Sequence, residues 1–81
     1  MYERRTPDAP ARPPAPLGTT AAVRRPNDVR VGDFVYRDEM YLRIKDLRSA
    51  GTAGQRVLIF DGHSPWVLKA PTTTYRPNEL L

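Results

Sequence analysis

The prolines of this chain are concentrated near one end, and this limits the length of chain that can fold. Six of the nine prolines lie within residues 1–28, where large apolar side chains are few. Ordering one residue costs roughly 1–2 kcal/mol of backbone entropy, which buried apolar surface must offset. We therefore expect residues 1–28 to form a disordered arm, rich in proline and arginine and of polyproline II character. One small domain remains, over residues 29–81.

A domain of that size can bury only a small core, so its stability is marginal. A chain of about 60 residues buries only about 60% of the surface that it exposes when unfolded. The chain has no cysteine and one histidine, so we expect no disulfide, no metal site and no cofactor. The remaining solutions are a well-packed small barrel or association with a partner, such as a second copy of the chain.

Two further features bear on location. The absence of cysteine fits a cytoplasmic protein, which is our expectation. The longest apolar run, residues 57–60, is far too short to span a membrane, so we expect no membrane partner.

The apolar stretches of residues 29–81 have the length and composition of short antiparallel strands. Residues 29–36, 55–60, 66–70 and 74–78 are rich in β-branched and aromatic residues, and glycine, proline or small polar residues separate them. Residues 38–50 are ambiguous, because Met40 and Ile44 share one face both in a strand and in a helix. We favour the strand, since the neighbours on both sides are strands, and the helix stays open.

Residues 61–64, Asp-Gly-His-Ser, contain the side chains of a catalytic triad next to one another. A triad needs the imidazole placed between the other two groups, whereas neighbours in a tight turn point apart. Asp-Gly between two apolar runs is a strong signal for a β-hairpin with a type I′ turn. We therefore predict a hairpin here, and we expect no catalytic residue and no enzymatic activity.

The charges indicate an acidic partner without naming one, since the net charge is +4. If residues 40–45 form a strand, Tyr41 faces outward with Arg43 and Lys45, where bases can stack and phosphates can bind. Further candidate phosphate contacts are Arg24, Arg25, Arg48, Arg56 and Lys69. Our first hypothesis is accordingly a non-enzymatic nucleic-acid-binding module, regulatory and directed to DNA.

The order of motifs over residues 29–77 resembles that of small SH3-like barrel modules in short actinobacterial proteins of plasmid, phage or regulatory type. A V-G-D bend is followed by a strand with aromatic and basic residues, a glycine-bearing loop and an apolar strand ending in D-G. The resemblance implies an all-β fold, a five-stranded, partly open antiparallel barrel. Such barrels bind DNA, RNA or peptides. The alternative function is therefore a protein-interaction or homodimerising adaptor module that uses an aromatic groove of the barrel or the proline-rich arm.

Overall fold

A computed structural model describes residues 13–79, which form one antiparallel sheet of six strands. The strands are β1 (Thr19–Arg24), β2 (Phe34–Arg37), β3 (Met40–Ser49), β4 (Arg56–Phe60), β5 (His63–Leu68) and β6 (Thr72–Pro77), with a short 3-10 turn over Pro26–Asp28. Their order in the sheet is β1-β6-β2-β3-β4-β5. The all-β prediction is confirmed. The sheet does not close into a barrel, because β1 and β5 are its two free edges.

The core lies on the inner face of this sheet, where alternate residues of each strand point. It consists of the buried side chains of Val29, Val35, Leu42, Ile44, Leu58, Phe60 and Leu68. Trp66 packs at the margin of this core and stays partly exposed. The Arg37 guanidinium lies 5.2 Å from the centre of the Trp66 ring and covers that margin.

The ambiguous residues 38–50 form strand β3, not a helix. Leu42 and Ile44 are buried while Arg43 and Lys45 are exposed, which is the alternation of a strand with one face in the core. Asp46 interrupts the pattern, and the ladder with β4 shifts register between Ile44 and Asp46. A β-bulge of this kind absorbs one extra residue without ending the strand.

The predicted hairpin at residues 61–62 is confirmed, but the predicted turn type is wrong. Phe60 pairs with His63 across the turn, and Gly62 has a φ of 79°. Asp61 is not among the positive-φ residues of the described chain, so the turn is not type I′. A positive φ at the glycine alone, beside a register shift in the β4–β5 ladder, is typical of a bulged hairpin turn.

The turn between β2 and β3 has the two consecutive positive φ angles that we expected at residues 61–62. Asp38 and Glu39 have φ values of 54° and 66°, and they connect the paired residues Arg37 and Met40. Two consecutive positive φ values across a two-residue hairpin loop indicate a type I′ geometry. Neither residue is a glycine, so this turn carries backbone strain.

The predicted boundary of the arm at residue 28 is wrong, and so is the predicted count of five strands. Strand β1 pairs with β6 along its whole length, from Thr19 opposite Pro77 to Arg24 opposite Thr72. Its four central residues are exposed, so backbone hydrogen bonds to β6 hold the strand in the sheet. The composition of residues 19–24 does not predict this pairing. Residues 1–12 of the predicted arm, and residues 80–81, lie outside the described part of the chain.

A buried ion pair anchors the loop that leads into β2. Asp33 is only 1% exposed, and its two carboxylate oxygens accept hydrogen bonds from Arg76 Nε and Nη2 at 2.8 and 2.9 Å. The Arg30 amide donates to Asp33 Oδ2 at 3.0 Å, and Arg76 Nη2 also donates to the Asp28 carbonyl. Burial raises the pKa of the Asp33 carboxyl, but these hydrogen bonds and the nearby arginine charges outweigh burial, so its pKa lies below the ordinary value.

Candidate binding surface

Three tyrosines lie together on the outer face of β2, β3 and β6, and we call this group the tyrosine surface. Tyr36 and Tyr41 are opposite each other in the β2–β3 ladder, with ring centres 4.8 Å apart. The Tyr41 and Tyr75 rings meet edge to face, with ring centres 5.1 Å apart. Aromatic pairs at such distances contribute about 0.5–1.5 kcal/mol each beyond their burial. The tyrosine surface is therefore a packed aromatic platform on the side of the sheet opposite the core.

A proline-rich segment of the same chain, residues 13–16, lies against this platform. The Tyr41 hydroxyl donates a hydrogen bond to the Pro13 carbonyl at 2.8 Å. The Thr19 hydroxyl donates to the Pro16 carbonyl at 2.7 Å, at the point where the chain turns through Gly18 into β1. Tyr75 is only 7% exposed although it lies on the outer face, so this ring is covered while other parts of the face stay exposed.

The predicted nucleic-acid contact Tyr41 is on the expected face but in a different environment. Arg43 and Lys45 are exposed on that face, as the strand pattern predicts. Tyr41 itself is half-buried between two rings and is hydrogen-bonded to Pro13. It is a structural part of the tyrosine surface, and a base could stack on it only after this packing had rearranged.

Three other predicted phosphate contacts, Arg24, Arg25 and Lys69, lie outside β3. Arg24 points inward and donates to the Thr74 hydroxyl at 2.6 Å. Arg25 is exposed and lies 3.3 Å from an Asp28 carboxylate oxygen. Lys69 is exposed just after β5. These three residues therefore do not extend the cationic strand face of Arg43 and Lys45.

A cleft beside the loop between β3 and β4 brings the last two candidates together. Its volume is about 450 Å³, and Asn27, Arg48 and Arg56 are among its lining residues. Arg48 is exposed and has Asp46 3.4 Å away, while Arg56 is half-buried. The cleft is polar and open, and one carboxylate already neutralises part of its charge.

Sequence reasoning did not identify the tyrosine surface as a unit. Tyr36 and Tyr75 are 39 positions apart, and only the registers of β2 with β3 and with β6 bring them beside Tyr41. The available signal was the alternation Phe34-Val35-Tyr36, which places Tyr36 on the face opposite the buried Val35.

Comparison with protein-family models, curated proteins and solved structures gives no match. Over residues 13–79, no group of three or more histidine or carboxylate side chains is arranged to hold a metal ion. Within the same residues, the structure contains no helix with the length and apolar character needed to cross a membrane.

Proposed function

We propose that this protein is a non-enzymatic protein-interaction module whose tyrosine surface binds extended, proline-containing segments. The observation that carries the proposal is the hydrogen bond from the Tyr41 hydroxyl to the Pro13 carbonyl, made beside packed aromatic rings. A polyproline II segment has no internal hydrogen bonds, so its carbonyls are free to accept from such donors. Its stiffness also keeps the entropy lost on binding small, which is why aromatic surfaces recognise it.

The strand order supports the resemblance to SH3-like barrel modules. Without β1, the order β6-β2-β3-β4-β5 is a five-stranded, partly open antiparallel arrangement of the kind that the resemblance implies. In this proposal, β1 is an addition to that unit, paired to the outer side of β6.

Nucleic-acid binding, directed to DNA and regulatory, is the second candidate. Its support is the exposed row of Arg43, Lys45 and Arg48 along β3. Carboxylates lie within 4.0 Å of Lys45 and 3.4 Å of Arg48, which weakens the field that a phosphate backbone would meet. A cytoplasmic location and the lack of enzymatic activity stay predictions.

The test is a pair of NMR titrations of the full chain. One ligand is a peptide with the sequence of residues 9–18, and the other is a mixed pool of single- and double-stranded DNA oligonucleotides. The added peptide competes with residues 13–16 of the same chain for Tyr41, and we expect it at millimolar concentration to shift amide signals of β2, β3 and β6 around the tyrosines, with little dependence on salt. Contacts to phosphate would instead weaken steeply as salt increases.

Two variants separate the candidates. Tyr41→Phe removes the hydroxyl and keeps the ring, so we expect it to weaken peptide binding several-fold. Replacing Arg43 and Lys45 by alanine leaves the tyrosine surface intact and should not change peptide binding. If the peptide causes no shifts at millimolar concentration, the proposal is wrong. If DNA binds and the double alanine variant abolishes this, the second candidate replaces the first.

A further inference from the structure

The two free edges of the sheet differ in how well they are protected from pairing with another strand. Edge strand β5 contains Pro65, which has no amide to donate, and its ladder with β4 has a register shift. Prolines and bulges are the usual devices that keep an edge from accepting a further strand. Strand β1, TTAAVR, has six continuous residues without proline or lysine. No strand in residues 13–79 pairs with its outer side.

The most exposed large apolar side chains of the described chain lie on and beside β1. Leu17, two residues before the strand, is 100% exposed, and Val23, within it, is 70% exposed. The only charged residue of the strand, Arg24, is turned toward Thr74 by a hydrogen bond of 2.6 Å. The strand therefore exposes uncharged side chains, Val23 among them, and carries no outward charge that would repel a second strand.

We propose that β1 is a dimerisation edge that pairs with β1 of a second copy of this chain. Antiparallel pairing around a two-fold axis perpendicular to the sheet joins the two sheets into one, with both outer faces on the same side. Residues opposite each other in an antiparallel pair share a face of the sheet, so one residue near the middle of β1 must lie opposite its own copy. The axis therefore passes between the two copies of Ala21 or between the two copies of Ala22. This inference is independent of the tyrosine surface.

Both possible registers are free of like-charge contacts. When the two copies of Ala21 lie opposite each other, Val23 of one copy lies opposite Thr19 of the other, and Arg24 lies opposite Gly18. When the two copies of Ala22 lie opposite each other, Val23 of one copy lies opposite Ala21 of the other, and Arg24 lies opposite Thr20. Opposed like charges destabilise an antiparallel pair, whereas β-branched residues over small neighbours stabilise it. In either register the second copy covers the exposed Val23.

Single cysteines test the geometry, because the chain has no cysteine of its own. Opposed Cβ atoms in an antiparallel pair lie about 4.5–5.5 Å apart, close to the separation that a disulfide spans. We expect either Ala21→Cys or Ala22→Cys to give a covalent dimer under mild oxidation. Val67→Cys, on the protected edge strand β5, is the matched control and should stay uncrosslinked.

Sedimentation velocity of the full chain, from micromolar to millimolar concentration, tests the association itself. We expect a concentration-dependent mass of two copies. Val23→Lys should raise the dissociation constant about tenfold or more, whereas Val67→Lys should leave it unchanged. Circular dichroism checks that both variants fold, which the exposure of the two valines favours. A single-copy mass throughout, without crosslinking by either alanine variant, overturns the inference. Equal disruption by both lysine variants overturns it as well.

Discussion

The carboxylate of Asp33 joins two segments that are 43 positions apart, and its removal gives the sharpest test of the fold. Asp33→Asn retains the size of the side chain but removes its charge, and an amide NH₂ then faces the Arg76 guanidinium. The carboxylate accepts two hydrogen bonds from that guanidinium and one from the Arg30 amide. We expect the variant to fold with clearly reduced stability, because it loses charged hydrogen bonds in a position that is 1% exposed.

The magnitude follows from these contacts. A hydrogen bond to a charged group contributes about 1.5–3 kcal/mol, and the asparagine side chain can still make some of the hydrogen bonds that the carboxylate makes. The Arg76 side chain is 26% exposed, so water can solvate part of the charge left behind. We therefore expect the free energy of unfolding to fall by about 2–4 kcal/mol. A domain of this size has only about 3–10 kcal/mol in total, and its Tm should fall by about 10–25 °C.

Urea and thermal unfolding, followed by circular dichroism, measure this loss. The matched control is Asp61→Asn, which makes the same chemical change at a side chain that is 90% exposed and 4.0 Å from Lys45. We expect the control to change the free energy of unfolding by less than about 0.5 kcal/mol. A loss below about 1 kcal/mol for Asp33→Asn would show that the ion pair does not anchor the loop.

The same pair predicts a pH dependence of stability. The pKa of Asp33 lies below its ordinary value of 3.8 in the folded protein, so the folded state holds this proton more weakly than the unfolded chain. The stabilisation is complete above the unfolded pKa and is lost as the pH falls through the folded pKa. Between about pH 5 and pH 2 the wild type should therefore lose more stability than Asp33→Asn. Parallel losses in the two proteins would contradict this.

Three further changes test other parts of the structure. Glu39→Gly should raise the free energy of unfolding by up to about 1 kcal/mol in urea unfolding, because glycine adopts the φ of 66° without strain; a decrease would contradict the turn geometry. Leu58→Ala should lower the same quantity by about 2–5 kcal/mol, since the side chain is 0% exposed; a loss under about 1 kcal/mol would place Leu58 outside the core. Tyr41→Phe should accelerate exchange of the Asn78 amide, which donates to the Gly18 carbonyl at 2.7 Å, while changing stability by about 1 kcal/mol or less; unchanged exchange would show that the contact with Pro13 does not hold the segment.

Local patterns were sufficient to predict several elements. The apolar run of residues 55–60, rich in β-branched and aromatic side chains, predicted a strand, and it forms β4. The Asp-Gly pair at residues 61–62 predicted the hairpin between β4 and β5. Both signals come from residues that are neighbours in the chain, so the interactions behind them involve only a few consecutive positions.

The sequence by itself thus determined the all-β class, the strand character of residues 55–60 and the place where the chain reverses at Gly62. Only the tertiary structure decided that residues 19–24 join the sheet, that three tyrosines meet on its outer face and that Asp33 pairs with Arg76. The reason is the same in each case. These contacts depend on the register between strands distant in the chain, such as β1 and β6, where Arg24 reaches Thr74 across 50 positions. Composition and periodicity describe one segment at a time, and they do not specify which distant backbone completes its hydrogen bonds.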